Sequence, residues 1–280
     1  MRRFAALAFL ALLLVAGACR TESRPLRLAT TTSVDNSGLL DVLLPAFTKQ
    51  TGIRVEAVSV GSGKALQLAR QGDADMTLTH DPNLERVFLA ERRAVVYRKI
   101  MFDDFMIVGP PADPAAVAGA PSAVEAMRRI AVSGAPFASR GDDSGTEARE
   151  KLLWAQAGAS PTKGRRLEAG QAMAPTLSLA SESAAYCLTD RPTFTQLEDK
   201  LALRIMFQGG PDLLNSYAIM VVRGTAGSVQ AHAEQFVAWL TGDSGRQCIS
   251  DFRIKGVPAY TVWPIGVPGD TPEALPRQAP

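Results

Sequence analysis

Three short clusters rich in hydroxyls and glycine punctuate this chain where apolar runs give way to amphipathic ones. They are Thr30-Thr31-Thr32-Ser33, Gly61-Ser62-Gly63 and Ser139-Arg140-Gly141-Asp142-Asp143-Ser144-Gly145-Thr146. Each reads as a junction between a strand and a helix. Repeated strand–turn–helix units define an α/β fold with parallel-rich sheets. At such a junction the first backbone N–H groups of the helix are unpaired, and the helix dipole adds positive potential. Hydroxyls supply further donors, and Arg140 supplies a rigid forked cation. If the three junctions converge, they form a cage of donors for a small tetrahedral anion. Such a cage binds; nothing in it demands catalysis.

The pattern along the chain carries the same reading. Leu26 to Ala29 opens as a strand. Leu39, Leu40, Leu43, Leu44 and Phe47 then form a helical stripe, with Pro45 expected to kink or break it. Strands are expected from Ile53 to Val60 and from Met76 to Thr79, with a helix from Ala65 between them. Asp81-Pro82 places an N-cap and a first-turn proline at the next helix. Phe105 to Val108 is a further strand, followed by the punctuation Gly109-Pro110-Pro111. A second α/β segment runs to Gly209-Gly210-Pro211, with helices near 123–129, 147–157 and 171–181 and strands near 186–189 and 201–207. A strand at Tyr217 to Val222 and helices at 229–240 and 245–252 complete the chain. Two breakpoints imply that the chain leaves one lobe and later returns to it. The expected organisation is a leader over 1–18, a first lobe over 25–108 and 212–262, a second over 109–211, and a loose tail over 263–280. A cleft between such lobes, at the carboxyl ends of parallel strands, is where ligands bind.

Arg2, Arg3 and the apolar run Phe4 to Val15 form an export signal, too short to span a bilayer. Ala16-Gly17-Ala18 offers a cleavage site, and Cys19 follows at once, so the mature chain is either released as a periplasmic protein or tethered by a lipid on Cys19. Removing Arg2 and Arg3 from the 30 Lys and Arg residues leaves 28, equal to the 28 Asp and Glu. The mature chain thus has no basic field, and nucleic acid is excluded as a partner. Beyond Cys19 the cysteines are Cys187 and Cys248, which either pair in an oxidising compartment or sit as two buried thiols. No CxxC motif and no His/Cys cluster calls for a metal or cofactor.

Each cluster has a plainer alternative. Thr30-Thr31-Thr32-Ser33 can cap a helix, although four hydroxyls exceed what one cap needs. Gly61-Ser62-Gly63-Lys64 fails as a nucleotide-binding loop: Val58 stands where a glycine is required, and Ala65 replaces the hydroxyl after the lysine. Asp142 and Asp143 oppose an anion unless they orient Arg140 or cap the helix. Asp142-Asp143-Ser144-Gly145 also suits a serine hydrolase, but the only bases are His80 and His232. The carboxylate pairs Asp73/Asp75 and Asp103/Asp104 lack a matching base and are assigned no chemistry.

Taken in order, the segments LATTTSVDNSGLLDVLLPAFTKQTGIRVEAVSVGSGKALQLARQGDADMTLTHDP, ASRGDDSGT, EAGQAMAPTLSLASE and LTDRPTF resemble tungstate-binding proteins of ABC uptake systems, over Leu26 to about Gly256. The resemblance implies a type II periplasmic binding protein, with two α/β lobes joined by two crossover segments. It implies a monomeric non-enzyme that delivers tungstate, or molybdate as a close competitor, to an ABC permease. Its membrane contact is expected only through a lipid on Cys19. Carried onto matching positions, the oxyanion ligands fall on Thr31, Thr32, Ser62, Arg140 and Thr146. Phosphate-binding relatives add Ser144 and Gly145. Two departures stand out. Glu147 replaces the histidine common after Ser-Gly-Thr and is expected to face outward. Cys187 and Cys248 are foreign to the pattern, and a bridge between them would join the lobes. Tungstate and molybdate carry no proton near neutral pH and suit an all-donor site. Monohydrogen phosphate, the alternative, needs an acceptor such as Asp75, Asp142 or Asp143.

Overall fold

The computed structural model describes residues 24–162, 164–225 and 227–265. The leader expected over 1–18, Cys19 and the tail beyond 265 lie outside the described residues. Strand β1 (Leu26–Thr31) leads through α1 (Thr32–Asn36) into α2 (Leu39–Thr51), then β2 (Val55–Val60), α3 (Ser62–Gln71), β3 (Met76–Thr79) and α4 (Pro82–Ala90). A 16-residue strand, β4 (Ala94–Gly109), follows. Next come α5 (Ala123–Ser133), β5 (Phe137–Ser139), α6 (Gly145–Ala157), β6 (Arg166–Glu168), α7 (Met173–Glu182), β7 (Tyr186–Asp190), α8 (Arg191–Leu197) and β8 (Arg204–Gln208). The chain then runs through β9 (Leu214–Val222), α9 (Gly227–Thr241), α10 (Asp243–Asp251) and the short strands β10 (Arg253–Ile254), β11 (Val257–Pro258) and β12 (Thr261–Val262).

Strand β4 belongs to two sheets. From Ala94 to Asp104 it pairs antiparallel with β9, and beyond β9 lie β3, β1 and β2, the last three mutually parallel. From Phe105 onward β4 pairs instead with β7, and with β8 on its other side. Strands β5 and β6 continue this second sheet in parallel with β7. The chain leaves the first lobe along β4 and returns at Gly209-Gly210, where both residues have positive φ (83° and 90°) that only glycine adopts freely.

Both sheets are buried on two faces, as parallel sheets require. Alternation along β4 sends Phe105 and Ile107 into a core with Met127, Ile130, Phe137 and Trp154, and Met106 and Val108 into another with Leu177 and Phe194. In the first lobe Ile219 and Val221 of β9 join Leu28, Phe47 and Phe236, while Met220 and Val222 face α3 and α4. Each fully buried large apolar side chain contributes about 1.5–3 kcal/mol. Gly109 is glycine for want of space: a Cβ there would lie 2.4 Å from Cδ1 of Tyr186.

Three local expectations are corrected. Pro45 does not break α2, which is one helix through Thr51; Pro45 is exposed, so water can satisfy the carbonyl it leaves unbonded. Glu147 does not face outward: it is buried, for reasons given below. Cys187 and Cys248 do not pair. Both thiols are free, because Cys187 lies in a second-lobe core and Cys248 packs on the first-lobe core.

Candidate oxyanion site

The first lobe presents three strand ends on one edge. Register sets Thr31 opposite Val60 and Thr30 opposite Leu78, so Thr31, the last residue of β1, and Ser62 and His80, just after β2 and β3, lie at the carboxyl ends of neighbouring strands. The Thr30–Ser33 run is divided in use. Thr30 Oγ1 donates to Leu78 O at 3.1 Å and is structural. Thr31 Oγ1 is buried and has no hydrogen-bond partner. Thr32 opens α1 and is half-buried. Ser62 is the first residue of α3; its N-cap is Gly61, which has no side chain to cap with. Ser62 Oγ is likewise buried and unpartnered. Unsatisfied buried hydroxyls are uncommon and call for an explanation.

The second lobe contributes the loop between β5 and α6. Arg140 is 3% exposed. Its Nε donates to Gln171 O at 2.8 Å, and its Nη2 donates to Asp142 Oδ2 at 2.5 Å. Its Nη1 makes no hydrogen bond among the described residues. Ser144 caps α6, its Oγ accepting from Glu147 N at 3.3 Å. Gly145 and Thr146 form the first turn, and their N–H groups have no partner among the described residues. Thr146 Oγ1 is another buried, unpartnered hydroxyl.

The acidic residues of this loop are committed elsewhere. Asp142 grips Arg140 and accepts from Ser144 N at 3.3 Å. The Asp143 side chain is almost wholly exposed. Glu147 turns back on the loop, its Oε2 accepting from Asp142 N (2.8 Å) and Asp143 N (2.6 Å) and its Oε1 from Lys151 at 2.7 Å. Burial opposes its charge, but these partners hold its carboxyl below the usual range. Asp75 is at the opposite end of β3 from the site. Burial there is outweighed by hydrogen bonds from Arg24 and Arg27, which hold the Asp75 carboxyl down at about 2.

The two edges meet at His80 and Gly145. A Cβ on Gly145 would lie 2.8 Å from Cε1 and 2.9 Å from Nδ1 of His80. His80 is 5% exposed, and its Nδ1 has no hydrogen-bond partner. Burial, with the Arg140 charge adding to it, pulls the imidazole down to about 4. The His80 ring stacks obliquely on Tyr217, with centroids 5.0 Å apart. Ser144 Oγ engages Glu147 N rather than His80, so no nucleophile–base pair forms. Sequence reasoning weighed His80 only as a base and left it out of the site. The available signal was its position directly after a fully buried strand and before the Asp81 cap.

Two lobes that share one strand and meet where His80 touches Gly145, with buried unpartnered hydroxyls at the strand ends of each, define a periplasmic-binding-protein architecture. A PBP superfamily domain model matches residues 19–244. The chain is 36% identical over 240 residues to the tungstate-binding protein TupA of Peptoclostridium acidaminophilum, covering 84% of each chain. It is 41% identical to a tungstate ABC transporter protein from Geobacter sulfurreducens, whose crystal structure it matches with a TM-score of 0.73 over 82% of this chain and 99% of that one. The tungstate-binding protein TupA from Desulfovibrio alaskensis G20 is 36% identical, with a TM-score of 0.75 over 86% and 99%. The chain belongs to the PBP superfamily and, within it, to the family of these TupA proteins.

Proposed function

We propose that this protein is an exported solute-binding component that captures tungstate between its lobes and delivers it to an ABC permease, with molybdate as the closest competitor. The observation that carries this reading is the set of buried, unpartnered hydroxyls on Thr31, Ser62 and Thr146, which come from both lobes, beside Arg140. A dianion accepting from these groups, from Thr32 and Ser144, and from the Gly145 and Thr146 amides satisfies donors that the protein leaves open. Because the ligand touches both lobes, it favours the closed form by its differential contacts. The lobes close about β4 and the Gly209-Gly210 segment. A fully ionised anion suits this site, since Asp75, Asp142 and Asp143, the acceptors a phosphate would use, are paired or exposed. The same reading places the mature chain outside the cytoplasm as a monomer, with Cys19 as its lipid attachment.

Phosphate is the second reading, favoured by one atom. Asp190 Oδ2 is buried without a donor, and Asp190 lies close enough to Arg140 to be influenced by its charge. Calorimetric titration with tungstate, molybdate, phosphate and sulfate separates the two. Tungstate is expected to bind most tightly; phosphate outcompeting it would overturn the assignment.

A further inference from the structure

We infer that His80 is a ligand-contacting residue of the oxyanion site and that binding of the dianion takes up one proton from solvent at its Nδ1. This rests on the reading of the cleft as an oxyanion site. The argument begins with Asn215, on the neighbouring strand β9. Its Nδ2 donates to Asp103 Oδ1 at 2.8 Å and to Tyr217 OH at 2.8 Å. Tyr217 OH donates in turn to Asp103 Oδ2 at 3.1 Å. With the amide nitrogen so occupied, Asn215 Oδ1 is left buried without a hydrogen-bond donor, and its influence on the nearby imidazole favours the protonated ring. A neutral imidazole carries one N–H, whereas Asn215 Oδ1 and a bound dianion can both only accept, so a ring that serves both must gain a proton.

Nδ1 is the ring nitrogen that, together with Cε1, lies against the first turn of α6. It shares its condition, buried and unpartnered, with the hydroxyls of Thr31 and Ser62 at the neighbouring strand ends and of Thr146, next in the chain to Gly145. A dianion offers only lone pairs, so a bare Nδ1 would repel it. A proton on Nδ1 turns that contact into a charge-assisted hydrogen bond and gives the first lobe a cation to match Arg140 on the second.

The charges around His80 allow this exchange. By itself, the Arg140 charge acts against protonation of His80. A bound dianion reverses the local sign, since its two negative charges exceed the single charge of Arg140. Asp142 is neutralised by Arg140. On the flank toward β9 and β4, Tyr217 is an uncharged phenol, and burial with the Asp190 charge raises the Asp103 carboxyl, favouring its neutral form. Asp81, next in the chain, is spent on capping α4 through the amides of Asn83 and Leu84.

The test is tungstate titration of the full mature protein in buffers of low and high ionisation enthalpy, at neutral and mildly alkaline pH. The chain has only two histidines, so His232→Gln serves as the control. The native protein and His232→Gln are expected to take up about one proton per tungstate, with affinity falling by up to about tenfold per pH unit on the alkaline side. His80→Gln should bind more weakly, with a buffer-independent heat. Should His80→Gln not fold, the alkaline loss of affinity in the native protein decides the point, and a pH-independent Kd there overturns the inference. Buffer-independent heats in the native protein also overturn it, as does uptake that persists in His80→Gln and so belongs to Asp103 or Asp190. In these cases tungstate still binds and the oxyanion reading stands; absence of any tungstate binding would remove both.

Discussion

Gly145 and His80 meet so closely across the cleft that a single methyl group on Gly145 would lie 2.9 Å from His80 Nδ1. The contact joins the start of α6 in the second lobe to the end of β3 in the first, with no space for a side chain. Gly145→Ala should therefore hold the lobes apart. Overpacking costs about 1–3 kcal/mol, so tungstate affinity measured by titration should fall roughly tenfold to a hundredfold. The melting temperature of the ligand-free protein should change little, because the open form relieves the clash.

Arg140 is the buried cation of the site. If tungstate binds only the folded state, it should raise the melting temperature of the native protein. Arg140→Ala should abolish most of that rise, with a loss of about 1.5–3 kcal/mol for a charged hydrogen bond. Arg140→Lys should restore only part of it, since a lysine cannot reach Gln171 O and Asp142 while also presenting a planar fork. Differential scanning fluorimetry with and without tungstate reads both variants.

Two buried groups pull the pH dependence of stability in opposite directions. Burial, only partly offset by Lys99, pushes the Glu85 carboxyl up from 4.5 to about 7. The folded state then binds that proton more tightly than the unfolded chain. The stabilisation is full below the unfolded value near 4.5 and is lost as pH rises to about 7. His80 falls from 6.5 to about 4, so its contribution is full above 6.5 and is lost as pH drops toward 4. Denaturation measured across this range should show Glu85→Gln gaining stability at neutral pH relative to the native protein. His80→Gln should gain it on the acid side.

The thiols supply a simpler check. With no bridge between Cys187 and Cys248, reductant should leave the melting temperature unchanged. Alkylation followed by mass spectrometry should label Cys187 only after unfolding, since it is wholly buried. Cys248, half-buried, should label sooner.

The strand–helix alternation and the Asp81-Pro82 cap could be read directly, because N-caps and glycine turns are written in adjacent residues. The same signal, Asp190 followed by Arg191-Pro192, marks α8 and went unread. Strand β4 was legible only at its apolar end. Its first half carries Arg98 and Lys99, and Lys99 is buried only because Ser216 and Trp263 lie beside it in space. The fate of the acidic loop residues was hidden for a related reason. That Glu147 would fold back on the amides of Asp142 and Asp143 depends on the positive φ at Asp143, which residue type alone does not announce. The cysteine question turned on which lobe each thiol entered, a long-range fact.

Strand β4 crosses from one sheet to the other without a break. Between Asp104 and Phe105 it exchanges one set of partners for another while its backbone stays extended. Any gaping of the jaws must then be absorbed as torsion in a continuous ribbon clamped at both ends. Beside the freer Gly209-Gly210 return, such a ribbon would act as a leaf spring, so the resting aperture of the molecule would be set largely by this one stretch of extended chain, and an anion drawing the lobes together would work against its stiffness.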